Sequence, residues 1–316
     1  MTRQILSLFI CFVLLVFTSN SQSSYLSDQM EVYWGDDHGL VMHADELLSD
    51  KWCDLPQTQF WKKIMSLSPD SMVLNVASTR QILGVIKVSE YHRMSQVEKD
   101  QLRIDLRLTN NIESSERIFA TTGKNDFYKF KKVFPTIELG MDVFETQNVD
   151  PWFAQAILLI ESPGQMKKSR SGAYGAFQLM PAVARTQGLT VNRYTDERED
   201  FEKSAAGAAG LIRSVCIPEA KKILDAKEIT YNETDLWFRL FVLHVYHAGA
   251  GNVSAVVNKI DPQVGGQELI KDMWQNKAAS FGNNSQNYSQ LALASQLYLS
   301  ELINTEGGLV YYCKFP

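Results

Sequence analysis

The chain has 316 residues, of which 45% are hydrophobic and 21% are charged, and its formal net charge at pH 7 is −5. This apolar content is enough to form a buried core, which excludes a wholly disordered chain. The acidic balance argues against a protein that binds nucleic acid by neutralising its phosphates. We therefore expect a soluble globular protein with one large domain or two modest ones.

The first 21 residues have the pattern of a secretory signal peptide. Arg3 supplies a positive charge before an apolar run at residues 5–17, and small residues then lead to a cleavage site after Ser21. The run is shorter than the roughly 20 apolar residues that a membrane-spanning helix needs. We expect export to the periplasm or cell envelope, with no stable membrane span after cleavage. An uncleaved N-terminal anchor is the alternative.

Helical periodicity dominates the segment that follows, and strand signals are sparse. Apolar residues at helical spacing predict a helix that ends before Pro69. Ser95 is followed three residues later by Glu98, which is the spacing of a capping box at the start of a second helix. Farther on, Pro135 is expected to end any helix that precedes it.

A soft domain boundary is predicted at residues 134–142, where Pro135 and Gly140 cluster. This boundary divides the chain into a smaller helical N-terminal module of unknown role at residues 22–140 and a second domain at residues 141–316. The predicted fold class is all-α, or at least mainly α.

The second domain also has helical patterns. Asp150 and Pro151 are typical of a helix start, and the residues that follow them are almost all apolar. Residues 237–246 are apolar on nearly every face, which predicts a central buried helix. Residues 288–303 predict a final amphipathic helix.

Glu161 is the strongest catalytic candidate, because it ends the apolar helix that begins near Asp150. Burial disfavours a carboxylate, and the negative end of the helix dipole acts in the same direction, so both raise the pKa. A carboxylic acid that stays protonated near neutral pH can donate a proton to a leaving oxygen. The alternative is a helix-end glutamate that points into solvent or caps a neighbour.

Four short motifs around and after Glu161 carry a resemblance to a known family. They are Glu161-Ser162, residues 169–181 (SRSGAYGAFQLMP), residues 246–253 (YHAGAGNV) and Asn287-Tyr288. In this order, over residues 145–303, they resemble the soluble lytic transglycosylase (SLT) domain of the goose-type lysozyme-like superfamily. The resemblance covers about half of the chain.

The resemblance implies a lysozyme-like helical catalytic domain with peptidoglycan glycan strands as its partner. Glu161 would be the general acid and then the general base of a lytic transglycosylase, which cleaves the MurNAc–GlcNAc bond and forms 1,6-anhydro-MurNAc. No cofactor, metal ion or nucleic acid is implied, and protein partners stay open. The residues expected to bind substrate are Ser162, Gly172, Gln178, Tyr246 and Tyr288.

Four of these residues have a structural alternative. Ser162 can simply bond the end of the helix, Gly172 can serve an ordinary tight turn, Gln178 can satisfy the backbone of its own loop, and Tyr246 can be a core residue. At the level of the whole protein, one alternative is a lysozyme-type hydrolase of the same bond. Another is a non-catalytic exported protein that binds peptidoglycan as a scaffold.

The motifs also depart from the family pattern. Gly172 follows Glu161 by eleven positions, one fewer than usual, so the loop after the catalytic helix is altered. Phe177 stands where methionine is common, and His247 replaces the usual asparagine. Asn284 stands where a glutamate often precedes the final-helix tyrosine. These changes affect the sugar subsites rather than the acid itself.

The cysteines predict one disulfide at most. Cys11 lies in the signal segment, which leaves Cys53, Cys216 and Cys313 in an exported chain. We favour a bond between Cys216 and Cys313 because one domain can close it alone, and a bond from Cys53 to Cys313 is the second choice. A reduced chain with three small buried thiols is the third possibility.

Overall fold

The computed structural model describes residues 29–161, 166–306 and 308–311. The predicted signal segment, Ser162 and Cys313 lie outside these residues. Among the helices of the described residues, none has both the length and the hydropathy that a bilayer crossing requires.

Helices dominate the described residues, and the predicted mainly-α class is confirmed. They are α1 (Asp45–Ser49), α2 (Pro56–Ser66), α3 (Val88–Arg93), α4 (Gln96–Asn110), α5 (Phe130–Thr146), α6 (Trp152–Ile160), α7 (Pro181–Thr186), α8 (Phe201–Leu211), α9 (Ile217–Asp225), α10 (Leu236–Ala248), α11 (Ala250–Ile260), α12 (Gln267–Gln275) and α13 (Asn283–Glu306). The predicted capping box is present, since the Glu98 N–H donates to Ser95 Oγ and the Ser95 N–H donates to Glu98 Oε2.

Two small antiparallel sheets were not predicted. The strands are β1 (Gln29–Trp34), β2 (Asp37–Met42), β3 (Ser71–Val76), β4 (Ile82–Lys87), β5 (Ile118–Thr122) and β6 (Gly308–Tyr311). Their order is β2-β1-β6 in one sheet and β4-β3-β5 in the other. The N-terminal segment is therefore mixed α and β rather than purely helical, and β6 returns from the far end of the chain to pair with β1.

Helix α5 runs through the predicted domain boundary. Pro135 lies inside α5, so the expectation that it ends a helix is wrong. The inner face of α5 is lined with buried aromatic and aliphatic side chains, and their burial outweighs the backbone hydrogen bond that a proline cannot make. Gly140 lets α5 approach α6, because a Cβ there would lie 2.9 Å from Leu158 Cδ1. The buried residues form one core across this boundary.

Helix α6 is the centre of that core, and all nine of its residues are buried. Its one polar side chain, Gln155, pairs with the N-terminal sheet. Gln155 Oε1 accepts the Met42 N–H at 2.9 Å, and Gln155 Nε2 donates to the Met42 carbonyl at 3.1 Å and to Gln296 Oε1 on α13. The Gln155 side-chain amide thus satisfies both backbone hydrogen-bonding groups of Met42, the last residue of β2.

A buried ion-pair network fixes the start of α6. Asp150 Oδ1 accepts the Trp152 N–H at 2.9 Å, so Asp150 caps the first turn, although the helix begins one residue later than predicted. Asp150 Oδ2 accepts from Arg239 Nε on α10 at 2.7 Å. Arg239 also binds both carboxylate oxygens of Glu46. Helices α1, α6 and α10 are therefore joined at one point.

Two of the cysteines, Cys53 and Cys216, lie within the described residues. Cys53 and Cys216 are both free thiols in the described structure. Cys216 ends a π-helical segment, Ile212–Cys216, and is 1% exposed. Burial raises the pKa of its thiol to about 12, so it stays protonated and unreactive among apolar neighbours. Cys313 lies outside the described residues, so the Cys216–Cys313 bond stays a prediction.

Candidate active site

A cleft of about 280 Å³ opens beside the C-terminal end of α6. Its walls come from α6, from the loop that precedes α7, and from the last turn of α10. The lining residues are Glu161, Ser169, Ser171, Ala173, Gln178, Leu179, Met180, Val183, Leu211, Tyr246 and His247. Glu161 is the one carboxylic acid among these described lining residues.

The environment of Glu161 makes it a weak acid. Glu161 follows the last residue of α6, and its backbone N–H still donates to the Ile157 carbonyl at 3.0 Å. Desolvation by the surrounding core raises the pKa of its carboxyl group from 4.5 to about 7. The Tyr288 hydroxyl donates to Oε1 at 2.7 Å, which opposes this rise by stabilising the carboxylate. A proton is therefore available at neutral pH.

Tyr246 lies in the wall of the cleft, but its hydroxyl has a backbone partner. The hydroxyl donates to the Phe177 carbonyl at 2.6 Å and so joins α10 to the loop that precedes α7. Burial, and then the charge of Glu161, raise the pKa of Tyr246 well above its usual value. Tyr246 therefore shapes the cleft through the loop as well as lining it.

The loop before α7 needs unusual backbone angles. Gly172 and Gly175 have φ of 93° and 84°, and Gln178 has φ of 47°. A Cβ at Gly175 would lie 2.2 Å from the Arg198 carbonyl oxygen, so no other residue fits there without displacement. Gln178 Nε2 donates to the carbonyls of Lys167 and Gly175, at 2.7 and 2.9 Å. The amide nitrogen is thus used by the loop, while the residue still lines the cleft.

Arg198 is 1% exposed, and it hydrogen-bonds the loop that precedes α7 from the protein interior. Its Nη1 donates to the carbonyls of Gly172 and Leu179, both at 2.8 Å. Its Nε and Nη2 form a two-bond ion pair with Asp196, at 2.7 and 2.6 Å. A forked guanidinium can satisfy two carbonyls and one carboxylate at the same time, whereas a lysine could not. The Gly172 carbonyl is therefore committed to the scaffold of the cleft.

Part of the chain that forms this cleft also matches a known protein family. Residues 143–261 match the family model described as Transglycosylase SLT domain. This part of the chain is an SLT domain. At family level, SLT domains support lytic transglycosylase-type activity on peptidoglycan and a location at the cell envelope. No curated protein matches the chain.

Two tyrosines near Glu161 lie outside the residues matched to the SLT domain. Tyr288, on α13, donates to Glu161 directly. Tyr128, just before α5, is 7% exposed, and its pKa is raised by burial and then by the charge of Glu161. Segments on both sides of the SLT domain therefore complete the surroundings of the acid.

The structure brings most of the predicted site residues together. Glu161, Gln178 and Tyr246 line one cleft, and Tyr288 contacts Glu161. Gly172 supports the loop, and Ser162 lies outside the described residues. The substrate-binding roles of these residues stay predictions.

Two further residues of the site were not predicted to act there. Arg198 carried no predicted role, although its Asp-x-Arg spacing with Asp196 is a sequence signal for a local ion pair. His247 was seen only as a departure from the family pattern.

A metal ion has no obvious ligand set here. Within the described part of the chain, no group of three or more histidine, cysteine, aspartate or glutamate side chains is placed to hold one. The cleft offers a single carboxylic acid, two serine hydroxyls, an amide, a phenol and an imidazole. These groups can donate and accept hydrogen bonds and can transfer one proton at Glu161.

Proposed function

We propose that the protein is an exported peptidoglycan lytic transglycosylase that cleaves the β-1,4 bond between MurNAc and GlcNAc. The observation that carries this proposal is Glu161, whose carboxyl group lies in the cleft of an SLT domain with a pKa raised to about 7. A carboxyl group with this pKa is suited to act as an acid and then as a base at neutral pH.

In the first step, Glu161 donates its proton to the glycosidic oxygen, and the bond between this oxygen and the anomeric carbon of MurNAc breaks. GlcNAc leaves as an alcohol, and the N-acetyl carbonyl of MurNAc stabilises the positive charge at the anomeric carbon. In the second step, the ionised Glu161 accepts the proton of the C6 hydroxyl of MurNAc. The C6 oxygen then bonds to the anomeric carbon, which closes the 1,6-anhydro ring and restores the acid.

The single carboxylic acid of the described cleft supports this route over ordinary glycoside hydrolysis. Most glycosidases use two carboxyl groups, one as the acid and the other as nucleophile or base. Here the substrate itself would supply the other two functions, through its N-acetyl and C6 hydroxyl groups. The Tyr288 hydroxyl occupies Glu161 Oε1, and among the described residues no donor occupies Oε2, where the proton would be exchanged with the substrate.

Digestion of purified peptidoglycan, with mass spectrometry of the products, tests the proposal. We expect 1,6-anhydro-muropeptides. Reducing ends would instead identify a lysozyme-type hydrolase, and the absence of products would identify a peptidoglycan-binding protein. Glu161→Gln is the matched control, because the amide keeps the shape of the side chain but cannot donate an acid's proton. We expect it to lower turnover by about 100-fold or more.

A further inference from the structure

One of the residues that depart from the family pattern, His247, contacts the hydrogen-bonding partner of the proposed acid, Glu161. Its ring stacks on the ring of Tyr288, with centroids 4.4 Å apart and planes inclined by 27°. Tyr288 in turn donates its hydroxyl to Glu161 Oε1 at 2.7 Å. The three side chains thus form a row from the wall of the cleft to the acid.

The stacking on Tyr288 is the described ring contact of His247, and its charge also acts on the nearby His244. Neither ring nitrogen of His247 has a hydrogen-bond partner among the described residues. The residue lies in the last turn of α10, which ends where Gly249 adopts a φ of 81°. Its backbone is therefore fixed by the helix, and its ring is placed flat against the tyrosine.

We propose that His247 is a positioning residue that, by stacking on Tyr288, holds the tyrosine hydroxyl on Glu161 and so sets how firmly the acid keeps its proton. The proposal rests on the proposed function only in that Glu161 is the acid. The stack limits rotation of the phenol, and a donor that is held in place stabilises a carboxylate more than one that moves.

The other side chains near Glu161 are tyrosines and uncharged groups, so no other charged side chain is described beside it. The titratable side chains near the acid are Tyr128 before α5, Tyr246 and His247 on α10, and Tyr288 on α13. Ser169, Ser171 and Gln178, from the loop that precedes α7, are uncharged.

These groups are also neutral in the range where the acid titrates. His247 is exposed, and partial desolvation by its neighbours lowers the pKa of its imidazole, which favours the neutral ring where Glu161 titrates. The three tyrosines all have raised pKa values. Among the described residues, Tyr288 is the one side chain that lowers the pKa of Glu161.

The test is a direct titration of Glu161 in the full-length protein by ¹³C NMR of labelled glutamate carboxyl groups. The Glu161 signal is assigned by its loss in Glu161→Gln. In His247→Ala and in Tyr288→Phe, we expect the Glu161 pKa to move upward, by up to about one pH unit, because the stabilised carboxylate loses its donor.

Two more variants separate positioning from other effects. His247→Phe keeps an aromatic ring against Tyr288, so it should keep the Glu161 titration of the unmodified protein. The double variant His247→Ala with Tyr288→Phe should titrate like Tyr288→Phe alone, since both changes remove the same hydrogen bond. If His247→Ala does not fold, His247→Asn replaces it, and the same upward shift is expected.

Two results would overturn the proposal. One is a His247→Ala or His247→Asn protein in which Glu161 titrates as in the unmodified protein while Tyr288→Phe is shifted. The other is a double variant whose shift equals the two single shifts added together. The titration needs no turnover. Failure of peptidoglycan digestion would therefore reject the proposed function without deciding the role of His247.

Discussion

Burial of Glu161 should make the stability of the protein depend on pH in a way that one substitution removes. The folded protein keeps the carboxyl proton until about pH 7, whereas the unfolded chain releases it near pH 4.5. Between these values the folded state binds more protons, so the free energy of unfolding falls as the pH rises. A shift from 4.5 to about 7 corresponds to a loss of about 3 kcal/mol.

Glu161→Gln has no such titration. Its stability advantage over the unmodified protein should therefore grow by about 3 kcal/mol between about pH 4.5 and about pH 8. The assay is urea unfolding of both proteins at several pH values across this window, with the free energy of unfolding extrapolated to water. Glu202→Gln on α8 is the matched control, because Glu202 is exposed and should show no growing advantage.

The reasoning is refuted if the stability difference between Glu161→Gln and the unmodified protein is the same at both ends of the pH window. That result would mean that Glu161 is well solvated in the folded protein. In that case it would not hold a proton at neutral pH, and its role as general acid would lose its physical basis.

Three further predictions follow from the loop and the thiols. Tyr246→Phe should cost about 1–3 kcal/mol in urea unfolding and also lower turnover, because the buried Phe177 carbonyl loses its donor. If Tyr246→Phe is as stable as the unmodified protein, the Tyr246 hydroxyl does not donate to the Phe177 carbonyl. Gly175→Ala should destabilise the protein more than Gly188→Ala, because both glycines have positive φ but only the first added Cβ meets backbone, at 2.2 Å. Equal losses would show that backbone strain alone matters. Alkylation of the denatured, unreduced protein should label Cys53 and Cys216, which are free thiols in the described structure. Failure of Cys216 to label would instead support the predicted disulfide.

The helices with strong local signals could be predicted from the sequence. The capping box at Ser95 and Glu98 is present, and the apolar run of residues 237–246 lies within a buried helix. Such signals depend on residues a few positions apart, which the helix itself brings together. Pro135 shows the limit, because the apolar packing of α5 outweighs a local rule against proline.

The sheets could not be predicted in the same way. Strand β3 is six residues long and buried at every position, so its apolar run has no alternation that would separate it from a helix. The β1–β2 hairpin did carry a signal that we missed, a two-residue Gly35-Asp36 turn with Gly35 at a φ of 69°. The pairing of β1 with β6 joins segments from opposite ends of the chain, which no local pattern encodes.

In the candidate site, too, local signals could be predicted from the sequence and long-range contacts could not. Glu161 could be identified from the apolar helix and the motif that follows it. The contact between Glu161 and Tyr288 spans 127 positions, and the role of Arg198 depends on two carbonyls in a loop 19 and 26 positions away. These contacts exist only once the helices have packed, so residue types and spacing could propose the chemistry but not its geometry.

The pairing of Gln155 with the backbone of Met42 has a consequence for how the protein can be divided. A fragment cut to residues 143–261 would keep α6 and Glu161 but lose both the β2 edge and α13. Gln155 would then be left without its described partners, on a face of α6 that is otherwise apolar. We therefore expect residues 143–261 alone to be less stable than the same residues within the whole chain. Transplanting this segment into another protein would require the hairpin and the final helix to travel with it.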